Sequence, residues 1–166
     1  MIEPREGVPE VLGEDAFRHI VSRETQRATR YQDFFSVCLV KPDTAHALPV
    51  EVHHAVARKI AECLRATDVV GRLRDGAAFL LLHTASADAV RVAERVRAKI
   101  ENVAFPNSGG GPPQRITLSV GNVSFPRDGS SDRLLFSRAE EHLQEAVRRG
   151  GNRVIHGDDS SANPTH

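Results

Sequence analysis

Residues 64–83 read LRATDVVGRLRDGAAFLLLH, and this stretch sets the architecture of the chain. Two apolar runs, Asp68-Val69-Val70 and Phe79-Leu80-Leu81-Leu82, flank a segment rich in Arg, Asp and Gly. Short β-favouring runs on either side of turn residues predict a strand–turn–strand hairpin. Its tip is expected at Arg74-Asp75-Gly76-Ala77-Ala78. A catalytic turn would carry reactive groups, and two alanines bring none.

Working outward, Phe17, Ile20, Val21 and Ala28 recur at helical spacing and predict a helix from Glu14 to about Arg30. FFSVCLV, Phe34 to Val40, is short, aromatic and β-branched, and reads as a buried strand. Pro42 and Pro49 bracket a loop. Val56, Ile60 and Leu64 predict a second helix over His53 to Arg65. Ala85 to Ile100 is an amphipathic helix with Val90, Ala93, Val96 and Ile100 as its stripe and Ser86 as expected N-cap. A Gly/Pro-rich loop follows, then a strand over Ile116 to Phe125, a helix over Asp132 to Arg149 stopped by Gly150-Gly151, and a short strand in NRVIH. The expected order is α-β-α-β-β-α-β-α-β. The fold class is α/β (α+β), with one central, mostly antiparallel sheet flanked by helices.

At 166 residues the chain is expected to hold one domain over 10–156, after a flexible lead at 1–9 and before a polar, disordered tail at 157–166. Acidic and basic residues balance at 22 each, so no global charge draws the chain to nucleic acid or an anionic membrane. The N-terminus has no apolar signal region, and no apolar run reaches the roughly 20 residues that span a bilayer. A soluble, cytoplasmic protein is expected. Cys38 and Cys63 both lie in apolar-patterned segments and read as core thiols.

Four segments in order resemble the GGDEF domain, the catalytic module of diguanylate cyclases. ATRYQDFFSVCLVKPD is similar to the approach to that family's first metal-binding strand. LRATDVVGRLRDGAAFLLLH is similar to its signature hairpin, and ITLSVGNVSFPRDG to its Ser-x-Gly strand and Pro-x-Asp-Gly turn. RAEEHLQEAVRRGGNRV resembles its last helix and Gly-x-Asn-Arg-Val ending. The resemblance spans about Val8 to Val154 and implies a nucleotide-cyclase-like fold.

It also implies a chemistry to test against the residues present. Joining two GTP molecules calls for divalent metal held by carboxylates, since a hard cation takes oxygen ligands. In this alignment Lys41 stands at the family's first metal aspartate, and Asp43 matches the second aspartate of that motif. Arg74 and Asp75 replace the signature's two glycines, and Gly76 and Ala77 its two acids; a one-residue shift leaves Ala77 and Ala78 at the acids. The loop after the first strand is short and lacks the family's guanine- and ribose-contacting segment. Val147 stands where the family has a phosphate-binding lysine. These differences lead to the expectation of an inactive cyclase homologue: no enzyme, no catalytic residue, no metal and no cofactor.

Many GGDEF domains carry a second site for the product, cyclic di-GMP, at an Arg-x-x-Asp motif upstream of the signature. Arg65-Ala66-Thr67-Asp68 falls at that distance. A guanidinium fork can donate to guanine O6 and N7, a carboxylate can accept from guanine N1 and N2, and nearby arginines can meet phosphates. Arg65 and Asp68 are the expected ligand residues, with Arg72 and Arg74 assisting at phosphate. The same spelling recurs at Arg30 to Asp33 and at Arg72 to Asp75. The other reading of Arg65 is a cation at a helix C-terminus, and of Asp68 the start of a turn. His46, His53 and His54 read as solvated surface rather than a zinc site, and Ser119 as an ordinary strand serine.

The functional expectation is a GGDEF-like signalling domain acting as a cyclic di-GMP receptor with a protein partner, in a form that allows a homodimer. The alternatives are a docking scaffold that binds no nucleotide, and a residual cyclase or GTP binder.

Overall fold

A computed structural model describes residues 7–107 and 109–157. Of the tail expected at 157–166, residues 158–166 lie outside the described residues, as do the first six residues of the lead.

The elements are β1 (Val11–Leu12), α1 (Glu14–Tyr31), β2 (Phe35–Pro42), α2 (Val50–Glu62), β3 (Val69–Leu73), β4 (Gly76–Leu82), α3 (Ser86–Glu101), β5 (Ala104–Phe105), β6 (Gln114–Arg115), β7 (Leu118–Phe125), α4 (Asp132–Arg148) and β8 (Arg153–Ile155). Six strands form one sheet in the order β1-β3-β4-β2-β7-β8. The three inner pairs are antiparallel; β1 on β3 and β8 on β7 are parallel. The expected α/β architecture with a mostly antiparallel central sheet is observed.

Strand alternation divides the core into two layers. Val37 and Leu39 of β2 join Leu80 of β4, Val123 of β7, Phe17 and Val21 of α1 and Leu135 of α4 on one face. Cys38 and Val40 join Phe79, Val120, Ile60 of α2 and Val96 of α3 on the other. Gly121 lets α4 lie close: a Cβ there would stand 2.3 Å from Ala139 O and 2.5 Å from Leu143 N. Both cysteines are free; burial raises each thiol above its ordinary value. Cys38 donates to Asn122 Oδ1 (3.2 Å) inside the sheet layer.

Three sequence readings change. β1 and the β5–β6 ribbon were not expected, because two-residue strands carry no periodicity. The N-cap of α3 is Ala85, not Ser86, and makes no side-chain cap bond. The hairpin tip is shorter than expected: β3 and β4 close on Arg74-Asp75 alone, and Gly76, Ala77 and Ala78 are buried strand residues. Ala77 pairs with Val40 and Ala78 with Leu39 across the sheet. A Cβ at Gly76 would sit 1.9 Å from Val40 O, so only glycine fits there.

Candidate functional site

The β3–β4 hairpin has two ends, and each carries polar residues. At the first, Arg65-Ala66-Thr67-Asp68 forms a turn after α2, with Asp68 N donating to Arg65 O (2.9 Å). The Asp68 carboxylate closes it in return, accepting from Arg65 N (2.9 Å) and from the guanidinium Nη2 (3.1 Å). The same Nη2 reaches Leu82 O (3.0 Å) at the end of β4 and Thr84 Oγ1 (3.1 Å) just beyond it. The Arg65 side chain is 60% exposed and the Asp68 side chain 2%. Arg65 therefore presents a pre-oriented guanidinium to solvent, and Asp68 holds it from beneath. A buried carboxylate with these donors is a positioning group rather than a direct base contact.

Arg72 and Arg74 do not join this end. Six positions separate Asp68 from Arg74 along an extended strand, about 20 Å at strand rise. Arg74 donates its backbone N–H to Glu14 Oε1 (3.0 Å) at the second end, and Arg72 lies close enough to His54 to act on its protonation.

The second end opens a cleft of about 480 Å³ between the hairpin tip, the end of β2 and the start of α2. Lys41, His46, His53, His54, Arg74 and Asp75 line it. His53 donates from Nε2 to Leu73 O (3.0 Å), fixing its ring. Burial lowers the His54 pKa below the ordinary imidazole value, and the neighbouring Arg72, His53 and Arg58 charges lower it further. Of the histidines expected on a solvated surface, His46 is exposed, while His53 and His54 are half-buried walls of the cleft. Sequence reading missed this because the 43–49 loop that closes the cleft has no periodicity.

Asp43, next to the cleft, is committed to the fold. Its Oδ1 accepts from Ser119 Oγ (2.6 Å), and its Oδ2 from Thr117 Oγ1 (2.7 Å) and Asn152 N (2.8 Å). It thereby ties the end of β2 to β7 and to the α4–β8 turn. Ser119 has this structural partner, as a strand serine should. A hard divalent cation takes six or so oxygen ligands. Among the described residues no group of three or more His, Cys, Asp or Glu could hold a metal ion. Lys41 stands where a carboxylate would be needed, and Asp75 is the one acid lining the cleft. The residues present do not fit a carboxylate-held divalent metal.

Comparison with known proteins decides the family. Residues 46–153 match the family model described as "Diguanylate cyclase, GGDEF domain". The chain belongs to the GGDEF family. This GGDEF domain is 30% identical over 125 residues to the response regulator PleD of Caulobacter vibrioides, covering 74% of this chain and 27% of the relative. It is 31% identical over 123 residues to diguanylate cyclase A of Treponema denticola, covering 74% of this chain and 32% of the relative. The chain thus spans about a quarter to a third of the length of these curated relatives. In structure it is similar to the GGDEF domain of DgcB from Caulobacter crescentus, solved in complex with c-di-GMP. The TM-score is 0.76 at 15% identity, with 94% of this chain and 98% of that chain covered.

These matches correct one expectation. The GGDEF domain was expected to be no enzyme, on the strength of the missing signature acids. The family model it matches is that of diguanylate cyclases, and relatives at this identity are named as such. Counting lost acids overlooked that the fold keeps an open cleft where the hairpin tip meets β2. Among the described residues of the GGDEF domain, no helix is long and apolar enough to cross a membrane.

Proposed function

We propose that this GGDEF domain binds cyclic di-GMP at the Arg65 end of its hairpin and serves second-messenger signalling through that site. The observation that carries the reading is the exposed guanidinium of Arg65, oriented by a buried Asp68. A guanidinium held in one direction loses little entropy on donating to a guanine. Asp68 is the positioning residue. The complex of the DgcB GGDEF domain with c-di-GMP supports the choice of ligand class. The reading concerns the binding of this dinucleotide and assigns no step of its synthesis.

Calorimetric titration of the full chain with cyclic di-GMP tests it. Micromolar or tighter binding is expected, about −8 kcal/mol or better. Arg65→Ala should weaken it at least about ten-fold, and Arg65→Lys should not restore it, because one ammonium cannot keep the bonds to Asp68, Leu82 O and Thr84 and still donate to a ligand. Absence of both heat and a thermal shift would overturn the proposal.

A further inference from the structure

The bend that follows β4 holds an uncommon backbone conformation. Among the described residues, Gln32, His83 and Asn152 have positive φ without being glycine. Gln32 caps the C-terminus of α1, where left-handed backbone is common. Asn152 is of a type that tolerates this region. His83, at φ 50, has neither reason. Its side chain is 63% exposed, so packing does not impose the conformation. Such a residue persists only where surrounding bonds over-determine it, and residues of this kind gather at ligand sites.

Those bonds lie on both sides of His83. On one side, His83 Nδ1 stands 3.1 Å from Asp33 Oδ1. Arg27 and Phe34 N donate to the same carboxylate (2.6 and 2.8 Å) and hold its carboxyl well below the usual range. An ionised carboxylate only accepts, so the imidazole Nδ1 carries the proton and donates. On the other side, the two residues flanking His83 receive Arg65, whose Nη2 donates to Leu82 O and Thr84 Oγ1. Thr84 Oγ1 donates in turn to Leu82 O (2.8 Å), and Thr84 O accepts from Ser36 Oγ (2.8 Å). The bend at His83 thus brings two acceptors to one guanidinium nitrogen.

We infer that His83 is a positioning residue for the Arg65 site: bonded to Asp33, it locks the Leu82–Thr84 bend that aims the guanidinium. The inference rests on the reading of Arg65 as the cyclic di-GMP site, and it extends that site to a chain of contacts, Arg27–Asp33–His83, reaching back to α1. With the bend released, Arg65 keeps Asp68 but loses two fixed acceptors of Nη2. A long side chain freed in this way must be ordered again when ligand binds, and affinity falls.

Two replacements separate side chain from backbone. His83→Gly is at ease with positive φ but removes the donor to Asp33. His83→Asn also suits positive φ, and its Nδ2 occupies the place of the imidazole Nδ1, bonded to Cγ. Each is read in the full chain by the side-chain NMR signal of Arg65 Nε and by calorimetric titration with cyclic di-GMP, with melting temperatures confirming the folded state. In His83→Gly the Arg65 signal should move to the averaged position of mobile arginines, and affinity should fall about ten-fold. In His83→Asn both should stay near the values of the unmodified chain. An unchanged Arg65 signal in His83→Gly overturns the inference, and a fall in affinity without it marks His83 as a ligand contact instead. An asparagine variant that behaves like the glycine variant also overturns it. If the unmodified chain binds no cyclic di-GMP, the reading of Arg65 as its site fails, and the Arg65 signal in the unliganded variants still decides the positioning role.

Discussion

The two ends of the β3–β4 hairpin use arginine in opposite ways. At the Arg65 end, one guanidinium is fastened by a buried acid, a carbonyl and a hydroxyl, and its charge is matched. At the Arg74 end, cations face a shared cleft with no salt-bridge partner among the described residues. The first arrangement gives direction and the second gives field. A planar base is recognised by direction. Between the ends run mostly buried strand residues. Gly76, Ala77 and Ala78, where the family signature places its acids, are packing residues in this chain.

The largest way to disturb this contrast is at that packed middle. Gly76→Ala drives a Cβ to within 1.9 Å of Val40 O. Overpacking of this kind should cost about 3 kcal/mol, and lower the melting temperature by about 10 °C. Calorimetric unfolding measures it. Next in size is Asp43→Ala, which strands Ser119, Thr117 and Asn152 donors. A loss of about 2 kcal/mol is expected, and chemical denaturation checks it. Asp68→Ala should cost about 1 kcal/mol of stability through the opened turn. It should weaken cyclic di-GMP about ten-fold by freeing Arg65 from its fixed direction.

The smallest effect is on acid stability, at an ion pair that borders the Arg65 end through His83. Arg27 hydrogen-bonds Asp33 and holds its carboxyl at about 2, below the ordinary 3.8; Phe34 N and His83 add to the shift. The folded value lies below the unfolded one, so this stabilisation is fully present above about pH 4. It is lost as pH falls through 2. Asp33→Asn should remove that part of the acid slope in melting temperatures recorded between pH 5 and pH 2. The pair is half-buried and still touches solvent on the Arg27 side, so high salt should reduce the difference in part.

Much of this was legible in the sequence. The helices α1 to α4 announced themselves by apolar spacing, and β2, β4 and β7 by short apolar or alternating runs. Arg65 and Asp68 were singled out together in the sequence as ligand residues, but the hydrogen bonds between them were not read there. The cleft was not legible, because Lys41, His53 and Arg74 come from three separate elements that only the sheet register brings together. Arg72 and Arg74 stand farther from Arg65 than their numbers suggest for a related reason: closeness in sequence along a strand is distance in space. The burial of Ala77 and Ala78 followed from a turn two residues long, where the composition had suggested five.

Backbone amide chemical shifts during a cyclic di-GMP titration test the central claim most directly. The account predicts perturbations concentrated at Arg65, Asp68, Leu82 and Thr84, abolished by Arg65→Ala. Perturbations confined to Lys41, His53 and Arg74, or none at all, would contradict it.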